Sequence, residues 1–152
     1  MITYSLYTDG SCLKNPGNGG YAFLLMKDGK KLYDKFGSET STTNNRMELT
    51  AVIEGIKKFI SYYSILDNPI TLNIYSDSQY ICKAFNENWS DNWVLREFKG
   101  IKNPDLWRTL LELLIIIKEV EVNFIWVKGH DGNEFNEYVD KLALKAAKTI
   151  KE

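Results

Sequence analysis

The first eight residues after Met1 alternate, with Ile2, Tyr4, Leu6 and Thr8 on one side and Thr3, Ser5, Tyr7 and Asp9 on the other. That is the period of a strand covered on one face, and it puts Asp9 on the more polar side. A Gly/Asn/Pro-rich loop over 14–20 follows, then strand-like runs at 21–26 and 31–36 separated by Asp28-Gly29, a hairpin turn signal. From Asn45 onward the period changes. Leu49, Val52, Ile53, Ile56, Phe59, Ile60 and Tyr63 recur at helical spacing and predict a long amphipathic helix, which Asp67-Asn68-Pro69 ends. Ile70, Leu72 and Ile74 then alternate with Thr71, Asn73, Tyr75 and Asp77, so Asp77 closes a fourth strand as Asp9 closes the first. Beyond it the pattern predicts a short helix from Ser78 to about Phe85 and a Trp-rich irregular stretch to Asn103. A helix opened by Pro104 and running to about Lys118, a fifth strand over 120–127 and a last helix over 134–150 complete the chain. The order βββαβααβα predicts an α/β protein whose mixed sheet has three antiparallel strands followed by parallel ones, with helices on both faces. Ligands of such sheets bind beyond the carboxyl ends of the strands, where Asp9 and Asp77 lie.

With 152 residues, 44% of them apolar, the chain can bury one core but not two, and a single domain over 1–152 is expected. No apolar run approaches the ~20 residues that cross a bilayer, and strand-like alternation begins directly after Met1. A soluble cytoplasmic protein with no membrane partner, acting as a monomer, is the expectation. Cys12 and Cys82 match no metal or redox spacing and are expected to stay thiols. The net charge of −1 argues against a polyanionic partner. If Asp9, Glu48, Asp77 and Asp140 were neutralised by metal, 19 basic groups would face 16 acidic ones, which weakens that objection.

Glu48 has two readings. Asn45-Arg46-Met47-Glu48 has capping-box spacing, yet at helical periodicity Glu48 also shares the apolar stripe of Val52, Ile56 and Phe59, and a carboxylate aimed inward needs a counter-charge. Asp140 borders the apolar stripe of the last helix, one turn beyond Asn136, where an ordinary solvated acid is also at home. Strand-end aspartates are common turn formers. Four acids converging on one end of one sheet are not explained that way. Carboxylates without a His/Cys cluster disfavour zinc and suit Mg²⁺, which keeps waters and substrate phosphate oxygens in its shell. Two such ions roughly 4 Å apart promote phosphodiester hydrolysis without a protein nucleophile. His130, the single histidine, lies in the Gly-flanked loop Trp126-Val127-Lys128-Gly129-His130-Asp131-Gly132. An exposed loop histidine is the ordinary reading; if it reaches the site, it could protonate a departing oxygen near neutral pH or assist product exit.

The stretches Tyr7-Thr8-Asp9-Gly10-Ser11-Cys12 with Asn15-Pro16-Gly17, Thr42-Thr43-Asn44-Asn45-Arg46-Met47-Glu48-Leu49, Ser76-Asp77-Ser78-Gln79-Tyr80, and Trp126-Val127-Lys128-Gly129-His130 with Asn136-Glu137 and Asp140-Lys141-Leu142-Ala143 closely resemble type 1 ribonuclease H across almost the whole chain. The resemblance implies a ribonuclease H-like fold. It also implies endonucleolytic cleavage of the RNA strand of an RNA–DNA hybrid, with Mg²⁺ (two ions) or Mn²⁺, leaving 3′-hydroxyl and 5′-phosphate ends. On this chain it implies that Asp9 bridges both ions, Asp77 helps hold the one carrying the attacking water, Glu48 and Asp140 hold the other, and His130 is an accessory acid/base. It further implies that Gly10, Cys12 (through its backbone), Asn15, Asn44, Asn45 and Gln79 read the RNA strand in the minor groove. There the 2′-hydroxyl separates RNA from DNA. Thr43 and Asn103 would grip a DNA phosphate, and Trp89 and Trp93, one helical turn apart, would lie beside deoxyriboses. Trp107 and Trp126 are better read as core.

Three departures from the family pattern stand out. The segment between Trp93 and Trp107 is shorter than the basic handle of many bacterial relatives, and its Arg96, Lys99 and Lys102 are diluted by Glu97 and Asp105. Ser41 stands where some relatives carry a basic residue, and Phe135 replaces a more usual polar one. Two other readings compete with the nuclease: a non-catalytic hybrid-binding module, whose mark would be a lost carboxylate, and another nuclease, transposase or resolvase of related fold. No carboxylate is lost.

Overall fold

The chain runs β1 (Ile2–Cys12), β2 (Gly17–Lys27), β3 (Lys30–Thr42), α1 (Asn44–Tyr62), β4 (Ile70–Ser76), α2 (Gln79–Asn86), α3 (Trp89–Leu95), α4 (Pro104–Ile116), β5 (Glu121–Trp126) and α5 (Glu134–Lys148). The computed structural model describes residues 1–128 and 133–149, and of Ser90 the backbone alone. Among these residues the strands form one mixed sheet in the order β3-β2-β1-β4-β5. β1 pairs antiparallel with β2 and parallel with β4, and β5 lies parallel to β4 at the edge. The β1–β4 register sets Tyr7 beside Tyr75. Asp9, still paired with Ala22 of β2, and Asp77, just past the end of β4, are each two residues further on and therefore stand at the same level.

Both faces are covered. Tyr4, Leu6, Phe23 and Leu25 meet Val52, Ile56 and Phe59 of α1 on one side, and Tyr7, Ala22, Leu24 and Met26 meet Val139 and Ala143 of α5 on the other. Each Leu, Val, Ile, Phe or Met among them taken fully out of water contributes roughly 1.5–3 kcal/mol. The face of β1 expected to be the more polar is thus roofed by α5, and Asp9 is 2% exposed. β2 also starts earlier than expected, at Gly17 inside the loop read over 14–20. Close packing explains this: a Cβ on Gly20 would lie 2.4 Å from the Ala143 carbonyl oxygen and 2.5 Å from the Ala147 nitrogen, so its absence lets α5 settle on the strand. Asp28 and Gly29 both have positive φ, as a tight two-residue hairpin requires.

The stretch expected to be irregular contains α3, two turns that begin after Asn88 in the left-handed conformation with no side-chain cap. Trp93 of α3 is 6% exposed and packs edge-on against Trp107 of α4, ring centroids 4.7 Å apart. Among the described residues no helix is long and apolar enough to cross a membrane.

Candidate metal centre and nucleic-acid interface

Strand pairing and one helix packing bring three acids together. Asp9 sits near the end of β1, Asp77 just past the end of β4, and Glu48 in the second turn of α1. One carboxylate oxygen from each lies within 4.8 Å of the others. Gly10 makes this possible, because its bare Cα touches α1: a Cβ there would stand 2.3 Å from the Glu48 nitrogen. Asp140, on α5, couples to Asp9 through a contact between their carboxyl groups. All four sequence-predicted acids therefore meet at one end of the sheet.

The capping reading of Glu48 is overturned. Thr43, extended at φ −132°, is the N-cap, and its hydroxyl oxygen accepts from the Arg46 N–H at 3.3 Å. Asn45 consequently lies inside the first turn, and Glu48, two residues past the position a capping box needs, turns inward at 8% exposed.

Burial pushes the Asp9 carboxyl up to about 9, helped by the nearby Asp77 charge and by hydrogen bonding with Asp140, while a hydrogen bond with Glu48 opposes the rise. Burial, then the charges of Asp9 and Asp77, hold Glu48 well above the usual carboxylate range. Acids this close and this dry keep protons unless a cation takes their place. Asp9 Oδ1 and Glu48 Oε2 are buried with no hydrogen-bond partner. Orphaned carboxylate oxygens converging with a third acid suit a hard divalent ion, and an all-oxygen donor set favours the Mg²⁺ type over zinc.

The residues expected to read the RNA strand lie on, or directly next to, the elements that carry this cluster. Asn44 and Asn45 are exposed on the first turn of α1, and Asn15 Oδ1 accepts from the Asn44 N–H at 3.2 Å. Cys12 closes β1, its single S–H within reach of the Lys14 carbonyl at 2.9 Å and of the Thr42 carbonyl at 3.5 Å. Gln79 is exposed at the start of α2, and Gly10 follows Asp9. Cys82 is a buried free thiol whose desolvation, with the Asp77 charge, raises it to about 11. His130 lies outside the described residues.

For the other strand, Thr43 and Asn103 flank Arg46. The guanidinium donates to Asn103 Oδ1 at 3.2 Å and is held bidentately by Asp105 at 3.1 and 2.8 Å. Asp105 does more than dilute the basic segment, since it anchors Arg46 and is held below the usual carboxylate range by it. Arg96, Lys99 and Lys102 are exposed, and Ser41, also exposed, has a φ of 52°. The two tryptophans do not share one open face: Trp89 is half-buried, its ring tilted 6.0 Å from Tyr80, whereas Trp93 is core. Trp126, expected in the core, is 44% exposed on edge strand β5, and its Nε1–H donates to the Asp77 carbonyl oxygen at 3.1 Å. Sequence reasoning missed this contact and the Arg46–Asp105–Asn103 link, because an indole or guanidinium carries no mark of its partner. Phe135 has a structural role, lying 5.2 Å from Tyr7, which stacks on Tyr75 at 4.5 Å. That aromatic cluster joins β1, β4 and α5, which carry or adjoin three of the acids.

A mixed sheet whose two central parallel strands both lead to acids, joined there by acids from two helices, defines a class of nucleases that work through carboxylate-held metal. The RNase H family model matches residues 2–148. A ribonuclease H of Sulfurovum sp. (strain NBC37-1) is 46% identical over 148 residues, spanning 97% of this chain and 92% of that protein. A solved "LC9-RNase H1, a type 1 RNase H with the type 2 active-site motif" superposes with a TM-score of 0.80 at 31% identity, over 96% of this chain and 72% of that one. "LC11-RNase H1 in complex with RNA/DNA hybrid" shares the fold at a TM-score of 0.71 and 20% identity, over 95% and 96% of the two chains. The chain belongs to the ribonuclease H family.

Proposed function

We propose that this protein is a single-domain, monomeric, cytoplasmic endoribonuclease that hydrolyses the RNA strand of RNA–DNA hybrids with two Mg²⁺ ions, leaving 3′-hydroxyl and 5′-phosphate ends. The observation that carries this reading is the set of converging carboxylate oxygens, two of them buried and unpartnered, on a ribonuclease H fold. Asp9, Glu48, Asp77 and Asp140 would hold the ions, with Mn²⁺ as a substitute. Bound divalent cations supply Lewis acidity that activates water and neutralises charge on the phosphodiester. The chain's own groups do the rest. Asn15, Asn44, Asn45 and Gln79, with the backbone at Gly10 and Cys12, offer donors and acceptors to ribose hydroxyls. Thr43 and the Asn103 amide, whose oxygen is engaged by Arg46, leave donors for a DNA phosphate. His130 would protonate the departing oxygen.

The test is cleavage of end-labelled substrates in Mg²⁺ and in Mn²⁺. Hybrid RNA should be cut and duplex DNA and double-stranded RNA left whole, with one-, four- and all-ribonucleotide strands defining the minimum. Intact hybrid RNA in both metals overturns the reading.

The tryptophans separate binding from folding. Trp89→Ala is expected to raise the KM for hybrid roughly threefold to tenfold with a small change in melting temperature, a fraction of what ring stacking on a nucleotide contributes. Trp93→Ala should instead lower stability by about 3–5 kcal/mol, as removal of a buried aromatic does. Denaturant melts beside binding isotherms check both.

A further inference from the structure

Asp77 and Ser78 alone connect β4 to α2; Ser78 is the N-cap of that helix, its hydroxyl oxygen accepting from the Ile81 N–H and its carbonyl from the Cys82 N–H, both at 3.2 Å, while Asp77 itself belongs to neither a strand ladder nor a helix. Further hydrogen bonds hold the residues on the Asp77 side. Thr8 Oγ1 donates to the Tyr75 carbonyl oxygen at 2.9 Å, the Val127 N–H to that of Ser76 at 2.9 Å, and the Ser78 N–H to Ser76 Oγ at 3.1 Å. For the Asp77 carbonyl itself the partner is the Trp126 indole N–H. Trp126 ends β5 directly beside Ser76 in the register. An indole left 44% exposed on an edge strand contributes modest burial for its size. Its polar end is the part that reaches the site.

We propose that Trp126 is a positioning residue for the metal centre. By holding the Asp77 peptide it fixes the direction in which that carboxylate leaves the backbone, without itself touching metal or substrate. The inference rests on the carboxylate reading above. Groups that orient a metal ligand from behind typically change metal affinity or activity by about 10–100-fold when removed. The competing role is packing, since the ring also lines a shallow cleft with Gln79, Cys82, Lys83 and Asn86. A phenylalanine would meet that need and would lack the N–H.

Calorimetric titration of the substrate-free protein with Mn²⁺ decides, using Trp126→Phe, Trp126→Ala and, as a control on the site, Asp77→Asn. Both Trp126 variants should bind Mn²⁺ about tenfold more weakly than wild type. Half-activation by Mg²⁺ should shift equally, while the KM for hybrid and the melting temperature of the Phe variant stay near wild type. A Phe variant that binds Mn²⁺ like wild type, with only the Ala variant impaired, assigns the ring to packing and overturns the proposal while sparing the carboxylate reading. Wild type and Asp77→Asn binding Mn²⁺ alike would remove that reading, and this proposal with it.

Discussion

Asp9→Asn is expected to suppress hybrid cleavage by about a thousandfold or more, equivalent to at least roughly 4 kcal/mol of transition-state stabilisation, while making the metal-free protein more stable at neutral pH. The two effects have one cause. Asp9 is hydrogen-bonded with Asp140 and Glu48 and lies near the Asp77 charge, and burial is the main reason its carboxyl rises from an ordinary 3.8 to about 9. Between those two pH values the folded state holds more protons than the unfolded one, so stability is full below about pH 4 and declines as the pH climbs toward 9. Glu48, raised in the same direction, adds to the slope. An asparagine has the same shape and no charge to desolvate. The variant's metal-free melting curve should therefore change less with pH and, at pH 7–8, lie roughly 5–10 °C above wild type. Millimolar Mg²⁺ should narrow the gap, because a ligand bound only by the folded state stabilises it. Calorimetric scans from pH 4 to 9 with and without Mg²⁺, beside a cleavage assay, check each part. A variant that still cleaves, or melts below wild type at pH 8 without metal, would contradict the account.

Much of this site is legible in the sequence, because its parts sit where periodicity changes. Asp9 and Asp77 both close alternating runs, and parallel pairing of those runs was enough to bring them level. Glu48 fell in the apolar stripe of a long helix, a position that forces it inward. The errors have physical causes. In the alternation Tyr7 falls on the side of Thr3, Ser5 and Asp9, yet its ring stacks on Tyr75 under α5, so the face of β1 bearing Asp9 is roofed. The glycines before Tyr21 spelled a loop, although at Gly20 the missing side chain serves helix contact within a strand. α3 spans seven residues, too few for a helical period to stand out, and it starts from a left-handed asparagine without a capping bond. Apolar character placed Trp126 in the core, whereas its strand lies at the sheet edge. In each case tertiary contact overrode a correctly read local preference.

Gly10→Ala should damage both properties that Asp9→Asn sets against each other. Gly10 is absent from the positive-φ residues, so an alanine there meets no backbone penalty of its own. The obstacle is α1. An added methyl would stand 2.3 Å from the Glu48 nitrogen, 2.4 Å from the Met47 carbonyl carbon and 2.8 Å from Met47 Cβ. Two of those atoms are backbone, which no side-chain rotation moves aside, so the first turns of the helix must lift off β1 by something on the order of 1 Å. Met47 is fully buried and Glu48 nearly so, and lifting them loosens packing at the end of the sheet where the acids meet. Overpacking of this kind costs about 1–3 kcal/mol, or roughly 3–10 °C in a chain of this size. The same displacement carries the Glu48 carboxylate away from Asp9. Weaker Mn²⁺ binding and cleavage reduced by roughly a hundredfold should follow, since a 1 Å misplacement can have that effect. Melting curves, Mn²⁺ titration and single-turnover cleavage of the variant check these together. Wild-type values in all three would mean that α1 slides freely, and that the contact between Gly10 and the helix does not set the spacing of Asp9 and Glu48.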